Sequence, residues 1–215
     1  MFVIDILLVL SNLVFFIPAI RAVNYHRWTR AAIYFFIVFI SGAYHTCRSY
    51  SGLCIFSFKL HYDMDLFFAQ LTIPLAVLYL IDFPIWYQWI ERWLIMAFAF
   101  VVFVLQVCTG GALVVQMALI GISFALVFFY WVLYKDKTIK YDWVMLERGI
   151  VLTVMSTSLF TVQDRYMQGF WAVHSIWHVL AAFGQYYILA IKPGAPIYAA
   201  VDRKMSNLIR GIPRI

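Results

Sequence analysis

The stretch Ala172-Val173-His174-Ser175-Ile176-Trp177-His178 sets two imidazoles four residues apart at the head of an otherwise apolar run. On a helix, residues i and i+4 share a face with Cβ atoms about 5–6 Å apart, so this pair can chelate a single ion. A third imidazole, His45, lies at the end of another apolar run, and Asp65 stands near the start of a third. Three histidines make the ligand set of a zinc site whose fourth position stays open to water. A carboxylate at Asp65 would then orient a histidine or take a proton from that water. Ser41, four residues before His45 and on the same helical face, offers a hydroxyl to a substrate oxygen or to the water. On spacing alone the alternative stays open, namely polar groups hydrogen-bonded to neighbouring helices.

Composition puts these groups in lipid. Of 215 residues, 65% are hydrophobic and only 12% charged, against roughly 25% charged in soluble domains. A water-soluble fold of this length cannot hide so much apolar surface. A bilayer core of about 30 Å takes about 20 residues per helix. With that ruler the sequence predicts an all-α membrane protein, a seven-transmembrane helix bundle with spans at about 2–20, 29–47, 62–82, 93–109, 112–134, 143–161 and 171–191. A basic cytosolic tail, 192–215, follows. Gly110 and Gly111 break the chain between the fourth and fifth spans. The first run has no basic leader and no small-residue cleavage site, so it reads as a retained helix rather than a signal peptide.

Short cytoplasmic loops collect Lys and Arg. With the N-terminus outside and the C-terminus cytosolic, only Arg48, Lys59 and Arg165 of the 16 basic residues fall outside. The net charge of +6 is then mostly a topology signal with some attraction to anionic lipid, and it gives no nucleic-acid reading. In this orientation His45, Asp65, His174 and His178 all fall near the outer ends of their spans, in one leaflet. An ionisable group at membrane depth costs about 2.5–3.5 kcal/mol on insertion, so each is expected to face the protein interior.

Taken together, Ser41-xxx-His45, Asp65 and His174-xxx-His178 resemble the signature of the CREST superfamily, seven-helix membrane proteins that include alkaline ceramidases, adiponectin-receptor-like proteins and the transmembrane-protein-8 group. Within it, YHTCRSYSGLC (44–54) and VHSIWH (173–178) resemble the YHAC-x-x-x-G-x-x-LC and VHS-x-x-H stretches of the transmembrane-protein-8 branch. The resemblance covers the whole chain. It implies Zn2+ on His45, His174 and His178, with Ser41 and Asp65 completing a hydrolase-like constellation. That branch holds a bare seven-helix protein of myoblast fusion, and larger members with an extracellular domain, one of them a phospholipase on GPI-anchored proteins. With no ectodomain here, the expectation is a plasma-membrane protein promoting cell–cell fusion, passing through the endoplasmic reticulum and Golgi in transit. Its implied partners are membrane lipids, a second copy of itself as a homodimer, and a fusogenic protein. Retention of Ser41 and Asp65 keeps a zinc-dependent lipid hydrolase, a ceramidase-like amidase or phospholipase, as the alternative. The cysteine-rich C-terminal tail associated with the vertebrate form of that fusion protein is not among these residues, which removes tail palmitoylation as an expected anchor.

Cys47 and Cys54 flank a short outer loop directly after His45, where an oxidising compartment permits a disulfide. They are expected to pair and stiffen the end of that helix, while Cys108 is expected only to pack. His26 and His61 read as loop residues, and Asp82, Glu147 and Arg148 as interfacially paired charges. Gln70, Gln106, Gln116 and Ser156-Thr157-Ser158 read as groups that bond between helices. Trp28, Trp86, Trp89, Trp143 and Trp171 read as an interfacial belt.

Overall fold

The structure, a computed structural model, describes residues 2–80, 88–109, 112–133, 142–162 and 170–191. Among these residues the regular elements are all helical. Helix α1 (Phe2–Ser11) passes through a 3-10 turn (Asn12–Phe15) into α2 (Phe16–Asn24); α3 (Trp28–Ser49), a short 3-10 turn (Ser51–Leu53), α4 (Phe58–Leu80), α5 (Gln88–Thr109), α6 (Ala112–Leu133), α7 (Trp143–Val162) and α8 (Phe170–Ala190) follow. Five helical stretches are long and apolar enough to cross a membrane: Ile6–Asn24, Trp28–Ser49, Phe58–Leu80, Trp89–Cys108 and Trp143–Val162. The chain is thus a multi-pass, membrane-embedded helical protein. At 21 residues α8 matches them in length, but His174, His178 and Gln185 reduce its apolar character, and it is not one of the five. The glycine pair 110–111, Asp82, Trp86, Arg165, the side chain of Gln116 and the basic tail lie outside the described residues.

Local chemistry explains the irregularities. Pro18 has no N–H to give the carbonyl four residues back. Just before it, Ser11 Oγ donates to the Leu8 carbonyl at 2.6 Å, and buried Asn12 donates Nδ2 to the carbonyls of Leu8 and Val9 at 3.2 and 3.1 Å. These side-chain donors compete with the regular ladder and favour the tighter 3-10 turn. Helix α4 begins at Phe58 because Ser57 caps it: Ser57 Oγ accepts the Leu60 N–H at 3.3 Å. The cap brings His61 into α4, where it is buried and its Nε2 accepts the Phe56 N–H at 3.2 Å. His61 is therefore a helix residue, not the loop residue expected.

Polar ties set the relative positions of α3, α4 and α8. Tyr34 Oη donates to Gln185 Oε1 at 2.7 Å, and Gln185 Nε2 donates to the Thr72 carbonyl at 2.9 Å. Thr72 lies beside Pro74, which leaves a gap in the α4 ladder. Tyr79 Oη adds a bond to the Leu189 carbonyl at 3.1 Å. At the other end of α3, Arg27 and Arg30 grip Glu91 of α5 at 2.7 and 2.5 Å, all three side chains being largely buried. Arg30 Nη1 also donates to the Leu75 carbonyl.

Helices α7 and α8 meet through glycine. A Cβ on Gly184 would lie 2.8 Å from Thr153 Oγ1 and 3.2 Å from its backbone nitrogen, and one on Gly149 would lie 2.8 Å from Ile188 Cδ1. Only hydrogen fits at either position, and small residues are what lets membrane helices approach this closely. The hydroxyls of Ser156, Thr157 and Ser158 bond to the carbonyls of Thr153 and Val154 in their own helix. They do not bridge helices as expected, because the nearest acceptor to a helical hydroxyl is the carbonyl a turn behind it. Gln106 does bridge, donating to the Asp63 carbonyl at 2.8 Å. Arg148 sits over the Tyr187 ring, 5.8 Å from its centroid. Cys108 is exposed rather than packed. Trp28, Trp89 and Trp143, at helix ends, are exposed.

Glu91→Ala is expected to destabilise the protein by about 3–5 kcal/mol, because it leaves buried guanidinium groups without their carboxylate. Denaturant unfolding of the micelle-held protein measures this, and a loss below about 1 kcal/mol, the size of an exposed pair, would contradict it.

Candidate metal centre

His45 on α3 and His174 and His178 on α8 converge although 129 residues or more of chain separate the first from the others. The four-residue spacing puts the α8 pair on one face, with ring centroids 4.6 Å apart; His45 approaches to 4.7 Å from His174 and 5.5 Å from His178. Each ring offers one nitrogen to a set whose members lie within 4.8 Å of one another. Nitrogens on a tetrahedral ion at 2.0–2.1 Å sit about 3.3 Å apart, so side-chain adjustments of about an ångström would close the set on a metal. No other group of three His, Cys, Asp or Glu among the described residues is close enough to share an ion.

The site is buried and walled by aromatic rings. His45 and His178 are fully buried and His174 is nearly so. Phe170 stacks on His174 at 4.9 Å, and the Arg48 guanidinium covers Phe170 at 4.1 Å. Tyr44 lies 4.8 Å from His45, Trp177 flanks both α8 histidines, and Phe15 meets His178 edge-on at 6.1 Å. Within this wall both nitrogens of His45 and Nε2 of His178 have no hydrogen-bond partner. A buried polar atom left so costs about 1–3 kcal/mol, and a bound ion would offset that cost by taking the lone pairs. An imidazole-only donor set suits zinc, copper, iron or nickel rather than magnesium or calcium.

Ser41 and Asp65 stand beside the cluster rather than in it. Ser41 is buried one turn below His45 on α3, and Asp65, on α4, faces the Ser41 hydroxyl and lies near Tyr44. Ser11 is the contact that spacing did not reveal: its Oγ lies 2.7 Å from His178 Nδ1. The only trace in the sequence is a Ser-Asn pair inside an apolar run. Beside Ser11, between α1 and α8, runs a groove of about 490 Å³ with Leu7, Leu10, Trp171 and Ile176 among its walls.

Beyond His45 the chain is closed by a disulfide between Cys47 and Cys54, whose Cα atoms are 4.6 Å apart. The ring begins two residues after His45 and restrains the C-terminal end of α3.

Residues 1–179 match the family described as "Protein of unknown function (DUF3522)". The match takes in His45, Asp65, His174 and His178. No curated protein matches the chain.

Alkylation in denaturing detergent followed by intact-mass measurement is expected to add one label without reductant, at Cys108, and three after reduction, since the chain holds 3 cysteines. Three labels without reductant would mean that Cys47 and Cys54 are not paired in the isolated protein.

Proposed function

The chain belongs to the DUF3522 family, and from that premise we propose that it is a CREST-type, transmembrane-protein-8-like zinc protein of the plasma membrane, myomaker-like in promoting cell–cell fusion. In this reading it spans the membrane seven times, N-terminus outside and C-terminus cytosolic, and His45, His174 and His178 hold Zn2+ in the outer half of the bundle. One observation carries the reading. The two stretches that bear the resemblance, 44–54 and 173–178, meet in space, and the imidazoles where they meet form a buried, three-nitrogen cluster. The basic residues support the orientation, since it leaves only Arg48, Lys59 and Arg165 outside. Membrane lipid, a second copy of the chain and a fusogenic protein are its partners.

The positions of Ser41 and Asp65 favour a second reading, a zinc-dependent amidase or phospholipase acting on membrane lipid. Zinc bound here would supply Lewis acidity toward an ester or amide carbonyl and toward water. Ser41 Oγ–H would donate to a lipid oxygen, and an Asp65 carboxylate oxygen would hold the proton taken from water and pass it to the leaving group. The aromatic wall excludes bulk water from the centre. The groove between α1 and α8 offers acyl chains an apolar bed beside it.

Purified wild-type protein is expected to carry about one zinc per chain, and His45→Ala, His174→Ala or His178→Ala to carry little or none, by elemental analysis. A metal-free wild type that takes up no zinc on titration would sink both readings. Expression in non-fusing cells, scored by mixing of cytoplasmic contents, tests the fusion reading; no mixing with any fusogenic partner would overturn it. For the hydrolase, fatty-acid release from ceramides, phospholipids or GPI lipids is expected to fall about 100-fold or more in Asp65→Asn with zinc content unchanged. Absence of release by the zinc-loaded wild type would leave fusion as the surviving activity.

A further inference from the structure

Ser11 touches the centre from a helix that contributes none of its imidazoles. Its Oγ makes two short contacts, 2.6 Å to the Leu8 carbonyl and 2.7 Å to His178 Nδ1. A hydroxyl has one proton and two lone pairs. The carbonyl brings no proton, so the bond to Leu8 uses the hydroxyl's own, and only a lone pair remains for His178. Nδ1 must therefore be the protonated nitrogen, which leaves Nε2 of the neutral ring as the bare one. Nε2 is also the atom of His178 that is buried without a hydrogen-bond partner.

We infer that Ser11 is a positioning residue for the metal: it selects the Nδ1–H form of His178, holds the ring's rotation and presents Nε2 as the ligand atom. The inference rests on the zinc reading above and adds to it a residue on α1. Metal-bound histidines usually give their second N–H to a carboxylate, a backbone carbonyl or water; here a serine hydroxyl takes that part. Ser11 is itself held by the 3-10 turn, where buried Asn12 shares the Leu8 carbonyl at 3.2 Å. Phe15, one turn further on, meets the same imidazole edge-on. The first span thus grips His178 at two points while ligating nothing.

The test uses full-length protein in micelles, stripped with chelator and titrated with Zn2+ against a chromophoric competitor. Ser11→Ala is expected to bind zinc about 10- to 100-fold more weakly, and Ser11→Thr, which keeps the hydroxyl, to bind close to wild type. Cobalt-loaded Ser11→Ala is expected to show altered ligand-field bands, and Ser11→Thr the wild-type spectrum. Thermal unfolding separates positioning from packing: a positioning role shrinks the rise in midpoint that zinc produces, whereas a simple tie between α1 and α8 lowers stripped and loaded midpoints alike. Equal affinity in Ser11→Ala and wild type, or equal losses in Ser11→Ala and Ser11→Thr, overturns the inference. Should Ser11→Ala not accumulate as folded protein, Ser11→Cys replaces it, its thiol being a weak acceptor of similar volume, with the same outcomes. A wild type that takes up no zinc sinks the metal reading itself; a wild type that loads while Ser11→Ala loads as tightly overturns only the role of Ser11.

Discussion

A polar side chain inside a membrane bundle has no water to fall back on, and Gln185 shows how far that constraint reaches. Its amide accepts from Tyr34 and donates to the Thr72 carbonyl, so one side chain on α8 sets the register of α3 and α4 against it. A slip by one residue would leave the phenol, the amide and the carbonyl unpaired at once, at about 1–3 kcal/mol each. His45 rides on α3 and the other two histidines on α8. The ties that satisfy Gln185 are therefore also what keeps the three imidazoles level.

The bundle divides its labour along its length and across its section. Toward the start of α3, Arg27, Arg30 and Glu91 form a buried charge cluster that binds α5 to α3. Toward the end of α3 three imidazoles and the Ser41 hydroxyl gather inside an aromatic wall, with the Asp65 carboxylate beside them and Arg48 over Phe170. Across the section, α7 turns Ile150, Val151, Val154 and Met155 outward while Gly149 lets α8 lie almost against its backbone. α8 is less apolar than its neighbours because it is covered by protein on several sides. Its polarity and its central position have the same origin.

The parts legible in the sequence were those written in ionisable residues and in long apolar runs. His174 and His178 stood out because imidazoles are costly where the surroundings want Val and Leu, and helical geometry alone put them on one face. The helices lie near the expected runs because apolar length is a property of contiguous residues. Less visible were features decided by a partner elsewhere in the chain. Ser11 is one hydroxyl in an apolar stretch, and nothing local says that its neighbour is an imidazole 167 residues away. Tyr34 and Gln185 are equally mute until α3 and α8 are packed. His61 departs from expectation for a local reason: the polar run His61-Tyr62-Asp63 has the composition of a loop, but the Ser57 cap starts the helix ahead of it. The hydroxyls of 156–158 bond within their own helix rather than to distant partners because it supplies nearer acceptors.

The bond between Ser11 and His178 joins α1 to α8 across 167 residues of chain. Between them run α2 to α7, so the three imidazoles can meet only after α8 has joined the bundle. Helix α8, less apolar than the five candidate spans, finds partners for its amide and its imidazole in Tyr34, Thr72 and Ser11. A chain cut before residue 170 would lack two of the three clustered imidazoles, however well its earlier helices had folded.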